Sequence, residues 1–331
     1  KQIESLSYTS NINDIIIRWN IAYAISPSHQ INTGIDNNFH VFNPGTNYAK
    51  NQDTTSSFGQ YFYHNETNAF IEDVVQWPRI TTTVGVRATY YQLKSKAFYA
   101  LQPRMLFSLK VSNKTTLSAS YNRMYQFLHL YANSNIGLPT DLWVPVMQNL
   151  PPSSSNQYSA GFKSTLDKIT FSSEVFFKDM QNVTDYRDGV ILNNTQTNWD
   201  EVLSVGKGVA YGIEWLIDYH HPQFDVSLAY TYSRSFRKHK DIKQGQWFPY
   251  TYDRPHNINI NLQWKLNSNK QLIANWVYAS GYMITVSEGN FYIAGRVFPD
   301  LSNRNNYRTP PMHHLDVTYA ASKNKKRGTQ T

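Results

Sequence analysis

Histidines and paired acidic residues are the groups in this sequence that could bind a metal ion or transfer a proton. The histidines include two adjacent pairs, His220–His221 and His313–His314, and the adjacent carboxylates are Glu72–Asp73 and Asp200–Glu201. Side chains of neighbouring residues in a strand point to opposite faces. The two members of such a pair are therefore badly placed to share one ion or to act as acid and base on one substrate. We expect no metal site and no catalytic pair.

The sequence also lacks the motifs that common catalytic and cofactor sites require. It has no Gly-x-Ser-x-Gly elbow, no His-Glu-x-x-His pair, no phosphate-binding P-loop and no Asp-rich calcium loop. It contains no cysteine, which excludes a thiolate ligand, a disulfide and a Cys nucleophile. These absences predict a protein that is not an enzyme and that binds no cofactor.

Two segments, 127–155 and 237–254, combine aromatic rings with charged side chains and supply the candidate ligand-binding residues. These candidates are His129, Tyr131, Asp141, Trp143, Lys238, His239, Trp247 and Tyr250. Aromatic faces together with cations suit an anionic ligand that has apolar parts. Trp143, Asp141 and the segment Asp253–His256 could instead only brace the bases of loops, and the Lys-rich tip of 237–254 could bind phosphate groups at a membrane surface.

Composition limits the kind of protein that can present these residues. The chain has 331 residues with a net charge of +8, and 15% of its residues are aromatic whereas only 16% are charged. Its longest apolar runs, 21–25 and 97–101, are far shorter than the roughly 20 residues of a membrane-spanning helix. The only dense basic run is 323–327, and it does not resemble a nucleic-acid-binding motif. We therefore expect neither a helical membrane protein nor a nucleic-acid partner.

Alternation of apolar and polar residues is the main structural signal. It is strict in 226–232, 258–264 and 315–319, and helical spacing is not sustained anywhere. This period of two is typical of strands that have one apolar and one polar face. The pattern predicts an all-β protein with about thirteen strands of roughly 10–13 residues, near 12–25, 30–41, 67–76, 81–93, 101–111, 115–126, 156–166, 169–179, 207–219, 224–236, 255–266, 271–281 and 311–320.

The connections between these strands are alternately tight and long. Tight turns are expected near 26–29, 77–79, 112–114, 167–168, 220–223 and 267–270. Long loops are expected at about 42–66, 127–155, 180–206, 237–254 and 282–310, with one shorter member of this series at about 94–100. Long strands, short turns at one rim and long loops at the other predict an antiparallel transmembrane β-barrel of the bacterial outer membrane. The alternative is a soluble β-sandwich or propeller, but soluble strands average only about 5–6 residues.

Several short motifs, in order, resemble the barrel of TonB-dependent outer-membrane receptors. The block from Pro103-Arg104 to Trp143-Val144-Pro145 is similar to the subset that carries a carboxypeptidase-regulatory-like domain ahead of the plug. The motifs span nearly the whole chain: Gly85–Tyr90, Leu101–Arg104, Leu117–Arg123, Gln126–His129, Leu138–Pro145, Thr231–Ser235, Tyr252–Ile258 and His313–Val317.

This resemblance implies a 22-stranded barrel filled by an N-terminal plug, which imports a scarce ligand with force from the TonB complex. Residues 1–331 would form one partial barrel domain, a fragment of about thirteen strands, with the plug and the last two strands absent and 323–327 as a tight turn. The implied partners are the TonB complex through the missing plug, outer-membrane lipids and lipopolysaccharide, and a small-molecule or metal-chelate ligand.

The expected ligand is an iron-siderophore-type chelate, with cobalamin and glycans as other ligand classes of such importers. Two alternatives from other classes stay open at this point. One is a passive porin without a plug, and the other is an extracellular adhesin or glycan-binding β protein.

Overall fold

The computed structural model describes residues 5–50, 55–59, 61–131, 142–188, 203–293 and 295–322. Nearly all of the regular structure in these ranges is β-strand, apart from one 3₁₀ turn at Lys243–Gly245. No helix in these ranges has the length and apolar character needed to span a membrane.

Thirteen long strands form one antiparallel sheet in which each strand pairs with its neighbours in sequence. We label these strands β1–β13: β1 Ser5–Ser26, β2 His29–Lys50, β3 Phe62–Gln76, β4 Ile80–Gln92, β5 Ala97–Lys110, β6 Thr115–Gln126, β7 Ser153–Leu166, β8 Ile169–Tyr186, β9 Leu203–His220, β10 Phe224–His239, β11 His256–Asn267, β12 Lys270–Ala279 and β13 Met312–Ala321. Two short strands, Thr55–Gly59 and Trp247–Pro249, extend the sheet beside β2 and β10. The prediction of an all-β antiparallel sheet with thirteen main strands is confirmed.

The register of the pairs gives the sheet two chemically distinct faces. Leu228 pairs with Ile260, and Ile260 pairs with Trp276 in the next strand, so apolar residues line up across the strands. We call this side the outer face. It carries, among others, Trp19, Tyr23, Tyr230, Tyr232, Trp264, Trp276 and Tyr278. The opposite, inner face carries the polar residues that the alternation assigns to a wet interior, namely Arg87, Glu214, Asn259 and Asp316.

Large apolar side chains on the outer face expose more of their surface than would be favourable in contact with water. Ile15 is 68% exposed and Tyr99 is 78% exposed. Contiguous apolar surface of this kind marks contact with a membrane or another protein. With strands of this length, the arrangement is that of a barrel wall with hydrocarbon outside and a polar interior.

Several strands, among them β1 to β3 and β7 to β10, are longer than predicted on the side of the long loops. β1 and β2 each have 22 residues, whereas about 9–11 residues cross a bilayer. The ladder between β1 and β2 continues as far as the pair Ser5 and Lys50, so the loop expected at 42–66 is shorter than predicted. Hydropathy alternation weakens where a strand leaves the membrane, although backbone pairing continues there.

The tight turns and the long connections lie at opposite rims of the sheet, as predicted, and the one short connection expected among the long ones is 93–96. The tight turns are 27–28, 77–79, 111–114, 167–168, 221–223 and 268–269. In barrels of this type short turns face the periplasm and long loops face outward. The rim with 127–152, 240–255 and 280–311 is therefore the extracellular rim. Three small hairpins inside these loops were not predicted; their paired strands are Leu128–Tyr131 with Leu142–Pro145, Met283–Ile284 with Tyr307–Arg308, and Asn290–Ile293 with Arg296–Pro299.

Buried apolar residues collect in small clusters at this extracellular rim. One cluster is Val144, Leu150, Tyr186 and Leu203. The other is Tyr91, Leu93, Ala100, Phe127 and Val146. Both contain residues that follow β6, so the 127–152 connection packs against the upper ends of neighbouring strands.

Candidate ligand site at the extracellular rim

The candidates in the first long loop have different environments. His129 and Trp143 belong to the two paired strands of the hairpin Leu128–Pro145, where His129 is 3% exposed and Trp143 is 38% exposed. Tyr131 pairs through its backbone with Leu142, and Asp141 lies outside the described residues. Of these residues, only Trp143 is shown to present a ring to solvent.

Burial governs the chemistry of His129. Its Nδ1 lies 3.2 Å from the Ser153 hydroxyl at the start of β7. Removal from water disfavours the charged imidazolium and lowers the pKa of His129 to about 4. At neutral pH this side chain is an uncharged packing group that ties the hairpin to the barrel wall.

The candidates in the second long loop divide between the two faces of the sheet. Lys238 pairs with Lys207 of β9 and with Trp247, and the register places all three on the outer face. His239 follows Lys238 and therefore faces inward, where it is fully buried and lies 6.0 Å from the ring of Phe248. The candidates whose side chains the structure describes are consequently not brought together in one pocket, and the role of all eight as ligand contacts stays a prediction.

Tyr250 is the candidate most closely associated with a cation. The guanidinium of Arg237, on the inner side of β10, lies 4.2 Å from the centre of the Tyr250 ring. A cation over an aromatic face at this distance is a favourable contact. Tyr252 packs edge-on against Tyr250 and is 43% exposed. Nearby, the Arg254 guanidinium lies 5.7 Å from the ring of Tyr282, which is 42% exposed.

Asp253 holds the base of this loop in place. Its carboxylate, which is fully buried, accepts hydrogen bonds from the Ser235 backbone at 2.7 Å and from Arg234 Nε at 3.2 Å. It also accepts one from Arg308 Nη2 at 2.6 Å, and Arg308 belongs to the next long loop. The side chain thus joins β10, loop 240–255 and loop 280–311. This geometry agrees with the interpretation that the Tyr252–Ile258 motif contains a brace.

Two neighbouring residues of loop 280–311 extend this bracing, and sequence reasoning did not identify them. Asn305 donates from Nδ2 to the Pro249 carbonyl at 2.8 Å, and its backbone N–H donates to the Thr285 hydroxyl at 3.1 Å. Arg304 forms an ion pair with Asp185 of β8. The only available sequence signal was the Asn303–Asn306 run, because Asn readily adopts the left-handed backbone that Asn305 has at φ 51°.

A second polar network lines the inner face of β2 to β5. Asn68 donates to the Asp36 carboxylate at 2.9 Å and accepts from the Thr89 hydroxyl at 2.5 Å. Gln102 in turn donates to Thr89 at 2.9 Å, and Arg87 lies 3.5 Å from Asp36. These mutual hydrogen bonds make this part of the wall a connected polar lining. It supports the expected hydrated interior.

An apolar groove of about 350 Å³ lies on the outer face rather than in the interior. It is lined by Phe171, Trp215, Ile217, Leu228, Tyr230 and Ile258. The register places every one of these residues on the hydrocarbon side of β8 to β11. The groove therefore opens towards hydrocarbon and not into the barrel interior. Among the described residues, no group of His, Cys, Asp and Glu has the arrangement of a metal site.

The geometry defines a segment of an outer-membrane β-barrel whose long loops are tied together at the extracellular rim. The family model "TonB dependent receptor-like, beta-barrel" matches residues 4–326. The chain belongs to this family, and the resemblance inferred from its motifs is confirmed. As in the rest of the family, the barrel is located in the outer membrane of Gram-negative bacteria.

Solved structures support the same fold. The FrpB iron transporter from Neisseria meningitidis superposes with a TM-score of 0.63 at 12% identity, covering 94% of this chain and 48% of that one. The ferric yersiniabactin uptake receptor FyuA from Yersinia pestis gives 0.64 at 11% identity, covering 95% and 47%. The copper transporter OprC gives 0.67 at 11% identity, covering 96% and 49%. This chain thus spans about half the length of these structures, and no curated protein matches its sequence.

Proposed function

We propose that this barrel segment is part of a TonB-energised importer whose ligand is a metal chelate of the ferric siderophore type. Transport by the complete receptor would require the plug and the remaining strands, because an open sheet leaves two edges of unpaired backbone groups in hydrocarbon. Within the described residues the sheet has such edges at β1 and β13. We further propose that the protein has no enzymatic activity of its own.

The observation that carries this proposal is the combination of rigid bracing and exposed aromatic rings at the extracellular rim. Asp253 fixes the bases of two loops. Two partly exposed rings lie at the same rim: Tyr252 packs against Tyr250, whose ring contacts Arg237, and Tyr282 contacts Arg254. Such a surface suits an anionic chelate that has aromatic or other apolar arms. The solved relatives named for ferric yersiniabactin uptake and iron transport are consistent with this ligand class. The copper transporter among them makes the identity of the metal part of the test.

The test uses the full-length receptor that contains this barrel. A deletion strain is supplied with catecholate, hydroxamate and mixed-ligand ferric chelates, and with copper salts, as the sole source of the metal. We expect growth to fail on one class of ferric chelate and to return when the gene is restored. Normal uptake of every iron source would contradict the iron proposal, and loss of copper uptake in the same strain would assign copper instead.

The binding surface itself is tested with purified full-length receptor. The double variant Tyr252→Ala/Tyr282→Ala is expected to bind the identified chelate at least ten-fold more weakly. The matched control is Tyr99→Ala, which removes an exposed ring from the outer face at β5. Equal affinity of the double variant and the control would show that these two rings are not ligand contacts.

A passive porin differs from this proposal in one measurable property. A receptor closed by a plug should show no steady single-channel conductance in a planar bilayer, whereas a porin with a water-filled lumen conducts continuously. We expect the full-length protein to be silent. The family match also favours a membrane receptor over an extracellular adhesin. An adhesin would dissolve without detergent.

A further inference from the structure

A buried histidine lies close to the point where loop 280–311 meets the barrel wall. The side chain of His239 is fully buried at the extracellular end of β10. Its backbone pairs with Gly206 of β9, where a Cβ atom would lie only 2.6 Å from His239 Cγ. On its other side, the centre of the ring lies 6.0 Å from that of Phe248 on the short strand Trp247–Pro249. The ring is therefore enclosed between the wall and this short strand.

Two cations and one carboxylate act on this ring. Arg237 belongs to β10 itself, whereas Arg304 and Asp185 form the ion pair between loop 280–311 and β8. In the described ranges no carboxylate lies within 4.0 Å of a ring nitrogen, and the ring approaches the Ser204 backbone instead. The carboxylate that could compensate a positive charge on His239 is thus already paired with Arg304.

The other charged groups at this end of the sheet are more exposed. Asp241, in the loop that follows β10, lies 3.5 Å from the Ser204 hydroxyl and forms an ion pair with Arg187 at 4.0 Å. Asp188 accepts a hydrogen bond from the Lys243 backbone at 3.0 Å, and burial raises the pKa of this carboxyl. Asp188 is therefore a second group whose protonation could affect the loops at acidic pH.

The surroundings of His239 favour its neutral form. Burial disfavours the charged ring and lowers the pKa of His239 to about 4, against about 6.5 for an exposed imidazole. Asp185 raises this pKa, whereas Arg237 and Arg304 lower it. A proton on the ring would repel Arg304 and attract Asp185. Protonation therefore acts directly on the ion pair that holds loop 280–311.

Loop 280–311 is the element that would move. Asn305 Nδ2 donates to a carbonyl of the short strand at 2.8 Å, and the neighbouring Arg304 reaches Asp185. Because the ring is fully buried, hydration of a charged His239 requires the short strand and this loop to separate from the wall. We propose that His239 is the trigger of an acid-operated latch, in which protonation of the ring breaks the contact between Arg304 and Asp185 and releases loop 280–311. The latch does not involve the imported ligand, so it goes beyond the proposed uptake function and is tested independently of it.

The test measures hydrogen exchange of 283–308 in the purified full-length receptor at pH 7.5 and pH 5, corrected for the intrinsic pH dependence of exchange. The ring has a pKa of about 4 in the docked state and about 6.5 when exposed, so the released state binds more protons between these values. The released fraction should consequently rise about thirty-fold between pH 7.5 and pH 5. His239→Gln and His239→Phe remove the titrating group and should abolish this rise. The phenylalanine keeps an aromatic ring against Phe248, so it also serves if the glutamine variant does not fold.

Two controls remove other titrating groups. Asp188→Asn eliminates the second buried carboxyl at this rim and should keep the wild-type response. His220→Gln changes a histidine of the periplasmic rim that is 68% exposed, and it should keep the response as well. Anomalous migration of unboiled samples confirms that each variant is folded.

A further variant connects the ring to the ion pair. Arg304→Met releases the loop at neutral pH, so its exchange should be fast at pH 7.5 and should change little at pH 5. The proposal is overturned if both His239 variants keep the thirty-fold rise, if Asp188→Asn abolishes it, or if Arg304→Met retains the full response.

Discussion

Arg304 and Asp185 form an ion pair at 2.6 Å although they are 119 residues apart in the sequence. Their side chains are only 8% and 10% exposed. Asp185 is near the extracellular end of β8, and Arg304 is in the loop between β12 and β13, so the contact reaches across several strands of the wall. It fixes loop 280–311 over the rim.

Arg304→Met should release this loop, because it leaves the Asp185 carboxylate buried without its partner. Breaking a buried pair from one side typically costs about 3–5 kcal/mol. We expect faster amide exchange in 283–308 and new protease cleavage there, with the strands of the barrel unaffected. The control Arg296→Met changes an exposed arginine in the same loop and should alter neither. A double variant that also carries Asp185→Leu should recover part of the protection, and its failure to do so would argue against a pairwise contact.

Asp253→Asn tests the brace between the two loops in a different way. The amide keeps the size of the carboxylate but loses the charge that attracts Arg234 and Arg308. Hydrogen bonds to charged groups contribute about 1.5–3 kcal/mol each, so both loops should loosen together. Hydrogen exchange of 247–254 and of 305–309 reports this, with Asp300→Asn as a control in the same loop, where the carboxylate accepts a hydrogen bond from the backbone of the neighbouring Ser302. Loosening of one loop alone would show that Asp253 does not connect them.

The faces of the sheet could be predicted from sequence because alternation is local. Whether Ile258 or Asn259 faces hydrocarbon follows from neighbouring residues within one strand, and the structure confirms that assignment. The number of strands follows in the same way. The extracellular ends of the strands could not be predicted in this way. β1 and β2 continue their backbone pairing as far as Ser5 and Lys50, beyond the bilayer that imposes the alternation.

The contacts at the rim are beyond local sequence reasoning for the same physical reason. The pairing of Asp185 with Arg304 depends on how loops from distant strands meet, and no periodicity encodes that meeting. The division of Lys238 and His239 between outer and inner faces was in principle predictable, because they continue the alternation of β10. The prediction placed both residues in a loop, so their positions on opposite faces were not recognised. Asp253 was correctly interpreted as a possible brace, but its partner Arg308 could not be identified.

Docking of the hairpin Leu128–Pro145 should depend on pH through His129. Burial lowers its pKa to about 4 in the folded protein, against about 6.5 when exposed. The undocked state therefore binds more protons between these values, and docking weakens as the pH falls from about 6.5 towards 4. The full difference corresponds to about 3 kcal/mol. Above pH 7 the side chain is neutral in both states and contributes no pH dependence.

The measurement is hydrogen exchange of the hairpin at pH 7.5 and pH 5, corrected for the intrinsic pH dependence of exchange. Wild-type protection should fall at pH 5. His129→Gln removes the titrating group and should give protection that is lower overall but equal at both pH values. A pH-independent wild type, or an unchanged pH response in the variant, would exclude His129 as the cause.

Gly212 is required by the close approach of two neighbours on the inner face of β9. A Cβ atom at this position would lie 2.4 Å from the Tyr232 carbonyl oxygen and 2.9 Å from the Phe176 ring. Gly212→Ala should therefore destabilise the folded barrel by about 1–3 kcal/mol, measured as a lower urea midpoint. In the control Gly161→Ala, the added atom meets mainly the Ser118 hydroxyl at 2.6 Å, which can rotate away. Equal midpoints for the two variants would mean that the backbone adjusts freely at Gly212.

The assignment of the two faces is tested by placing the same charge on adjacent residues of β11. Ile260 pairs with Leu228 and Trp276 on the outer face, whereas Asn261 faces the polar interior. A lysine near the bilayer midplane on the lipid side costs about 2–4 kcal/mol, and the cost falls towards the interfaces. Ile260→Lys should thus lower the free energy of unfolding of the full-length receptor in lipid vesicles by about that amount. Asn261→Lys should change it by less than about 1 kcal/mol, since water or polar groups surround the added charge. If the two variants were equally stable, or if Asn261→Lys were the less stable of the two, hydrocarbon would not lie on the side that the alternation assigns to it.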